Sequence, residues 1–292
     1  MHVIPIISTK GGEGKSTQAA NLAGFLADAG LKTLLIDGDY AQPTASSIFA
    51  LRYEAPAGLY ELLMHTVDLN YPDKIISHTV IDNLDLIISN DPHEQLKTAM
   101  LHASDGRMRL RNVLQHPLFS SYEAIIVDSQ GARSVMLELI LLSATDSAVA
   151  VVKPILPDVR EFFRGTVGIL EELLPLACYG IKVPQVKILI NCMDYFALSR
   201  ETLAQLNNII SEGKYSEHTV DIHISLLNTQ IYSLEIYKLG HRIGQPVHRL
   251  ETHTDRSSLP AAQTMYELAC ELFPQWRARF DDFMVTSAKA VS

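Results

Sequence analysis

The sequence predicts an α/β fold with a mostly parallel central sheet flanked by helices, and two observations carry that prediction. The first is a series of short apolar runs: Val3–Ser8, Thr33–Asp37, Leu84–Ile88, Ala124–Asp128, Ala148–Val152 and Val186–Asn191. Each is rich in Val, Ile or Leu without polar alternation, as strands covered on both faces require. The second is the set of amphipathic stretches between them, Ser16–Ala29, Arg107–Leu114, Val159–Leu174 and Arg200–Ile210. Strand alternating with helix implies right-handed crossovers and therefore parallel pairing.

The remaining segments fit the same plan. Val135–Val152 is apolar but interrupted by Glu138 and Asp146, and its period changes midway. It reads as a helix followed by a buried strand, not a membrane span. Ser257–Phe273 reads as a helix, with Leu259, Ala262, Met265, Tyr266 and Ala269 at helical spacing; Pro274 begins another segment carrying Trp276, Phe280, Phe283 and Met284. No Pro/Gly/Ser-rich linker divides the chain, so residues 1–285 are expected to form a single domain and 286–292 a flexible tail.

Composition narrows the function classes. Apolar residues make up 47% of the 292, enough for a sizeable core, and the net charge of −9 argues against a surface built throughout for nucleic acid. Cys178, Cys192 and Cys270 lie among apolar neighbours without CxxC spacing, so small buried side chains are expected, not a metal or a disulfide. The N-terminus enters a strand at once and lacks the features of a secretory signal. A reducing, cytoplasmic setting is the expectation, with no membrane partner.

The chemistry concentrates at Ser8-Thr9-Lys10-Gly11-Gly12-Glu13-Gly14-Lys15-Ser16-Thr17, which follows a strand and opens a helix. Glycines there let backbone N–H groups turn inward around phosphate oxygens, and the helix N-terminus adds partial positive charge. This is the context of a P-loop, with Gly11, Gly12, Glu13, Gly14, Lys15, Ser16 and Thr17 as nucleotide-binding candidates. Lys15 is placed to reach the β- and γ-phosphates of ATP or ADP, and the Ser16 hydroxyl to ligate Mg²⁺. Two apolar runs end in acids, Ile36-Asp37-Gly38-Asp39 and Val127-Asp128, on the side of a parallel sheet where ligands bind. A lone acid there would read as a turn or N-cap residue; three beside this loop read as metal and water ligands.

The general pattern GxxxxGK[ST] is broken by Thr9, and the segment instead fits KGGxGK[ST] with the additional Lys10. On these residues the chain resembles the ParA/MinD family of deviant Walker A ATPases, more closely ParA partition proteins of the Soj type than MinD. The resemblance extends over nearly the whole chain, through Asn83–Ile88, Ala150–Pro154, Glu161–Gly165, Gly244–Val247 and Pro260–Leu272. It implies that Lys10 reaches across an ATP-bridged homodimer, that Asp37 and Asp128 sit at Mg²⁺, and that Asp39 orients the attacking water. Asn191 falls on a position that contacts adenine. Slow turnover, stimulation by a ParB-like partner, non-specific DNA binding and nucleoid association are further implications.

There are departures from the family pattern. Asp39 is followed by Tyr40-Ala41-Gln42-Pro43, and Asp128 by Ser129-Gln130-Gly131. The family arginine that contributes to DNA binding falls on Ser233, leaving Lys238, Arg242, Arg249 and Arg256 as the candidate basic patch, with a solvated face as the alternative. Two other functions remain in view. One is a MinD-like membrane-cycling regulator, against which the cancelling charges Arg277, Arg279, Asp281 and Asp282 count. The other is a nucleotide-gated scaffold with incidental hydrolysis.

Overall fold

The structure is a computed structural model describing residues 1–91 and 95–291, with side chains described through residue 287. The N-terminal half runs β1 (His2–Ile7), α1 (Lys15–Asp28), β2 (Thr33–Gly38), α2 (Ala45–Ile48), β3 (Leu51–Tyr53) and α3 (Leu59–Met64). It continues with β4 (Ser77–Thr79), β5 (Leu84–Ile87), α4 (Leu96–His102), α5 (Arg109–Val113) and β6 (Ala124–Ser129). Next come α6 (Val135–Ser143), β7 (Ser147–Val152), α7 (Leu156–Glu161), a π-helical turn (Phe162–Val167) and α8 (Gly168–Leu173). The last elements are β8 (Gln185–Met193), α9 (Ala197–Ser211), β9 (Ile224–Tyr232), α10 (Glu235–Ile243), α11 (Val247–Leu250), α12 (Ala261–Leu272) and α13 (Arg277–Val291).

The strands form one sheet in the order β3-β4-β5-β2-β6-β1-β7-β8-β9. Pairing is parallel from β5 across to β9, and the β3–β4 and β4–β5 pairs are antiparallel. The alternation of side chains along each strand feeds two cores. Val3, Ile7, Leu34, Ile36, Ile125 and Val127 join the α6 and α8 side. Ile4, Ile6, Leu35 and Ile126 join the opposite side, under α1, α12 and α13. Burial on both faces explains why the sequence shows apolar runs there instead of alternation.

Register fixes the site. Asp37 pairs with Asp128 across β2 and β6, and Ile6 of β1 pairs with Asp128 from the other side. The ends of three adjacent strands therefore reach one level, and the loop from β1 to α1 rises beside two carboxylates.

β9 forms one edge of the sheet. Its pairing with β8 slips between Ile188 and Ile190, a bulge at which the N–H groups of Asn228 and Thr229 both donate, at 2.8 Å, to the Glu271 carboxylate of α12. Some expectations need correction. Helix α13 runs through residues 286–291, where a tail was expected, and Ser292 lies outside the described residues. Cys178 is exposed, and Cys192 and Cys270 are half-buried, so burial is not what all three share. The helix expected from Ser257 starts only after Pro260. No helix among the described residues is long and apolar enough to cross a membrane.

Candidate functional site: a phosphate loop beside paired carboxylates

Helix α1 begins after Gly14, which has φ 89°, a left-handed conformation that glycine adopts without penalty. No side chain caps this end, so its backbone N–H groups face a cavity of about 440 Å³. The cavity is lined by Gly11, Gly12, Gly14, Lys15, Ser16 and Thr17 on one side, and by Asp39, Ala41, Gln42, Gln130 and Gly131 on the other. Uncapped helical N–H groups with the dipole behind them form an anion site. Lys15 is buried, and desolvation lowers its pKa while the nearby Asp128, Asp39 and Glu13 charges oppose the shift.

The two strand-end acids differ in their surroundings. Asp37 Oδ2 accepts from both the N–H and the hydroxyl of Ser46 at 2.7 Å, and its Oδ1 accepts the Asp39 N–H at 3.1 Å. Asp128 Oδ1 accepts the Ser129 N–H at 3.0 Å, and its Oδ2 is buried without a hydrogen-bond partner. Burial pushes the Asp128 carboxyl up, the Asp37 charge adds to the rise, and the Ser16 hydroxyl moderates it. Burial likewise raises Asp37. An orphaned buried acceptor beside a second carboxylate and a serine hydroxyl is a donor set that fits a hard divalent cation. Asp128 and Ser16 would hold Mg²⁺; Asp37, already hydrogen-bonded at both oxygens, would act from behind them.

Asp39 is half-exposed. Its Oδ1 accepts the N–H groups of Ala41 and Gln42 at 3.1 and 2.9 Å, which fixes the loop and aligns the carboxylate beside the cavity. Across from it, the 129–132 loop lies against the phosphate loop. A Cβ on Gly131 would come within 2.8 Å of Gly11 Cα and Lys10 O. Gln130 and Gly131, noted in the sequence only as departures, thus belong to the wall of the cavity.

Lys10 does not face the cavity. Its Nζ is ion-paired with Asp158 Oδ1; the lysine is half-exposed and the aspartate buried. Asp158 sits in the first turn of α7, directly after β7, and sequence reasoning missed it. The available signal was an acid just past the ligand-side end of a strand. Asp158 also neighbours Glu13. Burial pushes the Glu13 carboxyl up, and Asp158 adds to the rise. Glu13 Oε2 accepts the Lys153 N–H at 3.0 Å. Thr9 Oγ1 donates to the Glu161 carbonyl at 3.3 Å, against the π-helical turn. Asn191, the residue expected at the base, is 4% exposed, and its carboxamide donates to the Glu13 carbonyl of the phosphate loop.

The four basic candidates do not form a free patch. Lys238 pairs with Glu235 at 2.7 Å, Arg249 with Asp28 through two bonds of 2.6 Å, and Arg256 with Glu251. Among the described residues only Arg242 of the four has no ion pair, and it is exposed.

Fold and site together define a P-loop nucleotide-binding protein. An AAA domain family matches residues 1–156. The chain belongs to the ParA/MinD family of P-loop ATPases. It is 31% identical over 151 residues to the tyrosine-protein kinase CpsD of Streptococcus pneumoniae, covering 52% of this chain and 62% of that one. It is 30% identical over 148 residues to the chromosome partitioning protein ParA of Myxococcus xanthus, covering 50% of each chain. The chain therefore spans between about half and 62% of the length of these curated relatives. Among solved structures, the ATP complex of a Cyanothece McdA variant aligns with TM-score 0.69 at 20% identity, over 97% of this chain and 95% of that one. MinD of Pyrococcus horikoshii with Mg-ADP aligns with TM-score 0.67 at 19% identity, over 95% and 98%. At such identities these structures support the fold.

Proposed function

We propose that this chain binds ATP with Mg²⁺, dimerises face to face through the nucleotide, and hydrolyses it slowly to switch a DNA-partition activity. One observation carries the reading: the uncapped start of α1, Lys15, Ser16 and Asp39 line one cavity of about 440 Å³, and the register-paired acids Asp37 and Asp128 are buried at the strand ends next to it. Mg²⁺ bound there would neutralise charge on the transferring phosphoryl group. The protein's own part is positional. The loop cradles phosphate, Lys15 offsets its charge, and Asp39 orients the attacking water. Lys10 would exchange one anion, Asp158, for another, the phosphate of the partner's nucleotide.

Partition of DNA, with a ParB-like partner that stimulates turnover, is supported by likeness to ParA of Myxococcus xanthus and to Soj of Bacillus subtilis. A cytoplasmic, nucleoid-associated location follows from that reading. The in-chain pairing of Lys238, Arg249 and Arg256 favours weak DNA binding centred on Arg242. The test is sedimentation with duplex DNA and, separately, with liposomes, in ATP and in ADP. ATP-dependent, salt-sensitive sedimentation with DNA that weakens in Arg242→Ala supports partition. Sedimentation with liposomes alone would select the membrane-cycling alternative. Binding to neither, with ATP-dependent dimerisation intact, would select the nucleotide-gated scaffold.

A further inference from the structure

Asn191 lies near the end of β8, and its carboxamide is engaged at both ends. Nδ2 donates to the Glu13 carbonyl at 2.6 Å, and Oδ1 accepts from Gln18 Nε2 at 3.2 Å. Gln18, on the first turn of α1, is buried as well. The residue after Asn191, Cys192, has φ 56°, a left-handed conformation that non-glycine residues rarely adopt. β8 thus kinks directly after the side chain that meets the phosphate loop.

The consequence follows from peptide geometry. No peptide among the described residues is cis, so the Glu13 C=O and the Gly14 N–H of their shared unit point in opposite directions. Holding the carbonyl down toward β8 aims the Gly14 N–H the other way, toward the cavity that Gly14 lines. The Glu13 side chain adds a second anchor through the Lys153 N–H at the end of β7. The apex of the loop is pinned to two strand ends before any phosphate arrives. The fit is close: a Cβ on Gly14 would lie 2.4 Å from Asn191 Nδ2.

We infer that Asn191 is a positioning residue that pre-aims the phosphate cradle, not a group that reads the base. The inference rests on the phosphate-site reading above and deepens it. Its buried carboxamide has two in-chain partners, and its effect should be independent of the nucleobase.

The test compares Mg-ATP with inorganic Mg-tripolyphosphate, which has no base, by isothermal titration of wild type, Asn191→Ala and Gln18→Ala. Losing the bond that aims the loop should weaken both ligands by the same factor, about tenfold in Asn191→Ala. Gln18→Ala, which releases Asn191 without touching the loop, should weaken both equally by about threefold. It keeps the test alive if Asn191→Ala does not fold. Weaker ATP with unchanged tripolyphosphate would overturn the inference in favour of base reading. Unchanged affinity for both in folded variants would overturn it too, leaving the phosphate site standing. A wild type that binds neither ligand would overturn the phosphate site and this inference together.

Discussion

Thr9 stands where the general phosphate-loop pattern has glycine, and Gly165, in the π-helical turn, makes room for it. A Cβ on Gly165 would lie 2.3 Å from Thr9 Oγ1, 2.7 Å from Thr9 Cβ and 2.9 Å from Glu161 Oε1. The last is the end of a flexible chain and can move; the first two belong to a β-branched residue with little freedom. Gly165→Ala should therefore destabilise by about 2 kcal/mol, within the usual range for overpacking. That corresponds to a fall in melting temperature of roughly 4–8 °C for a domain of this size. Thr9→Gly alone loses a long hydrogen bond and adds backbone freedom, about 1 kcal/mol together. The double variant removes the atoms that clash, so its stability should match that of Thr9→Gly alone, a coupling of about 2 kcal/mol. Urea denaturation of the four proteins without nucleotide measures the cycle. Additivity within ~0.5 kcal/mol would refute the reasoning and mean that the strain is absorbed outside this contact.

Lys15→Ala should abolish ATP binding in isothermal titration while leaving the nucleotide-free melting curve intact, because burial already opposes the lysine's charge. Asp39→Ala should bind ATP and accumulate as a nucleotide-bound dimer, with turnover down by about 100-fold or more, since its role is in the transition state. Normal turnover in that variant would remove Asp39 from the chemistry. Glu13 yields a pH prediction. Its carboxyl is pushed from 4.5 up to about 7 by burial and by Asp158, so the folded state holds the proton more tightly than the unfolded chain. Its contribution is fully present below the unfolded value and is lost as pH rises through the folded one. Glu13→Gln should therefore gain stability over wild type between pH 5 and pH 8, measured by urea midpoints at both. An equal difference at both values would exclude the shift.

The parallel core was legible because burial on both faces leaves an apolar run, as in Ile125–Val127 and Ala148–Val152. The phosphate loop was legible because its chemistry is local: strand, glycines, lysine and helix are contiguous. The acids could be read because strand ends are visible in sequence. What escaped is of two kinds. β3 and β4 are three residues each, too short to show a period, and β9 mixes Ser225, Asn228, Thr229 and Gln230 into its apolar pattern. The other kind is distant pairing. Lys10 meets Asp158 across 148 positions, Asn191 meets Glu13 across 178, and Arg249 meets Asp28 across 221. No local pattern reports such partners, and three of the four basic residues clustered in sequence, Lys238, Arg249 and Arg256, are closed into ion pairs in space. Asn191 shows the same limit, since its position in the chain was legible and its hydrogen-bond partners were not.

The bulge on β9 has a consequence for how this molecule would fail. Ile224–Tyr232 contains no proline and no charge of its own to repel another strand. What blunts that edge is borrowed: one carboxylate, Glu271, supplied by a helix from the far end of the chain. A heat- or truncation-induced release of α12 would bare an uncharged template for intermolecular strand addition while the phosphate loop, on another part of the sheet, stayed folded. Insolubility would then precede inactivation, and the C-terminal helices would set the colloidal lifetime of a protein whose chemistry is written at its N-terminus.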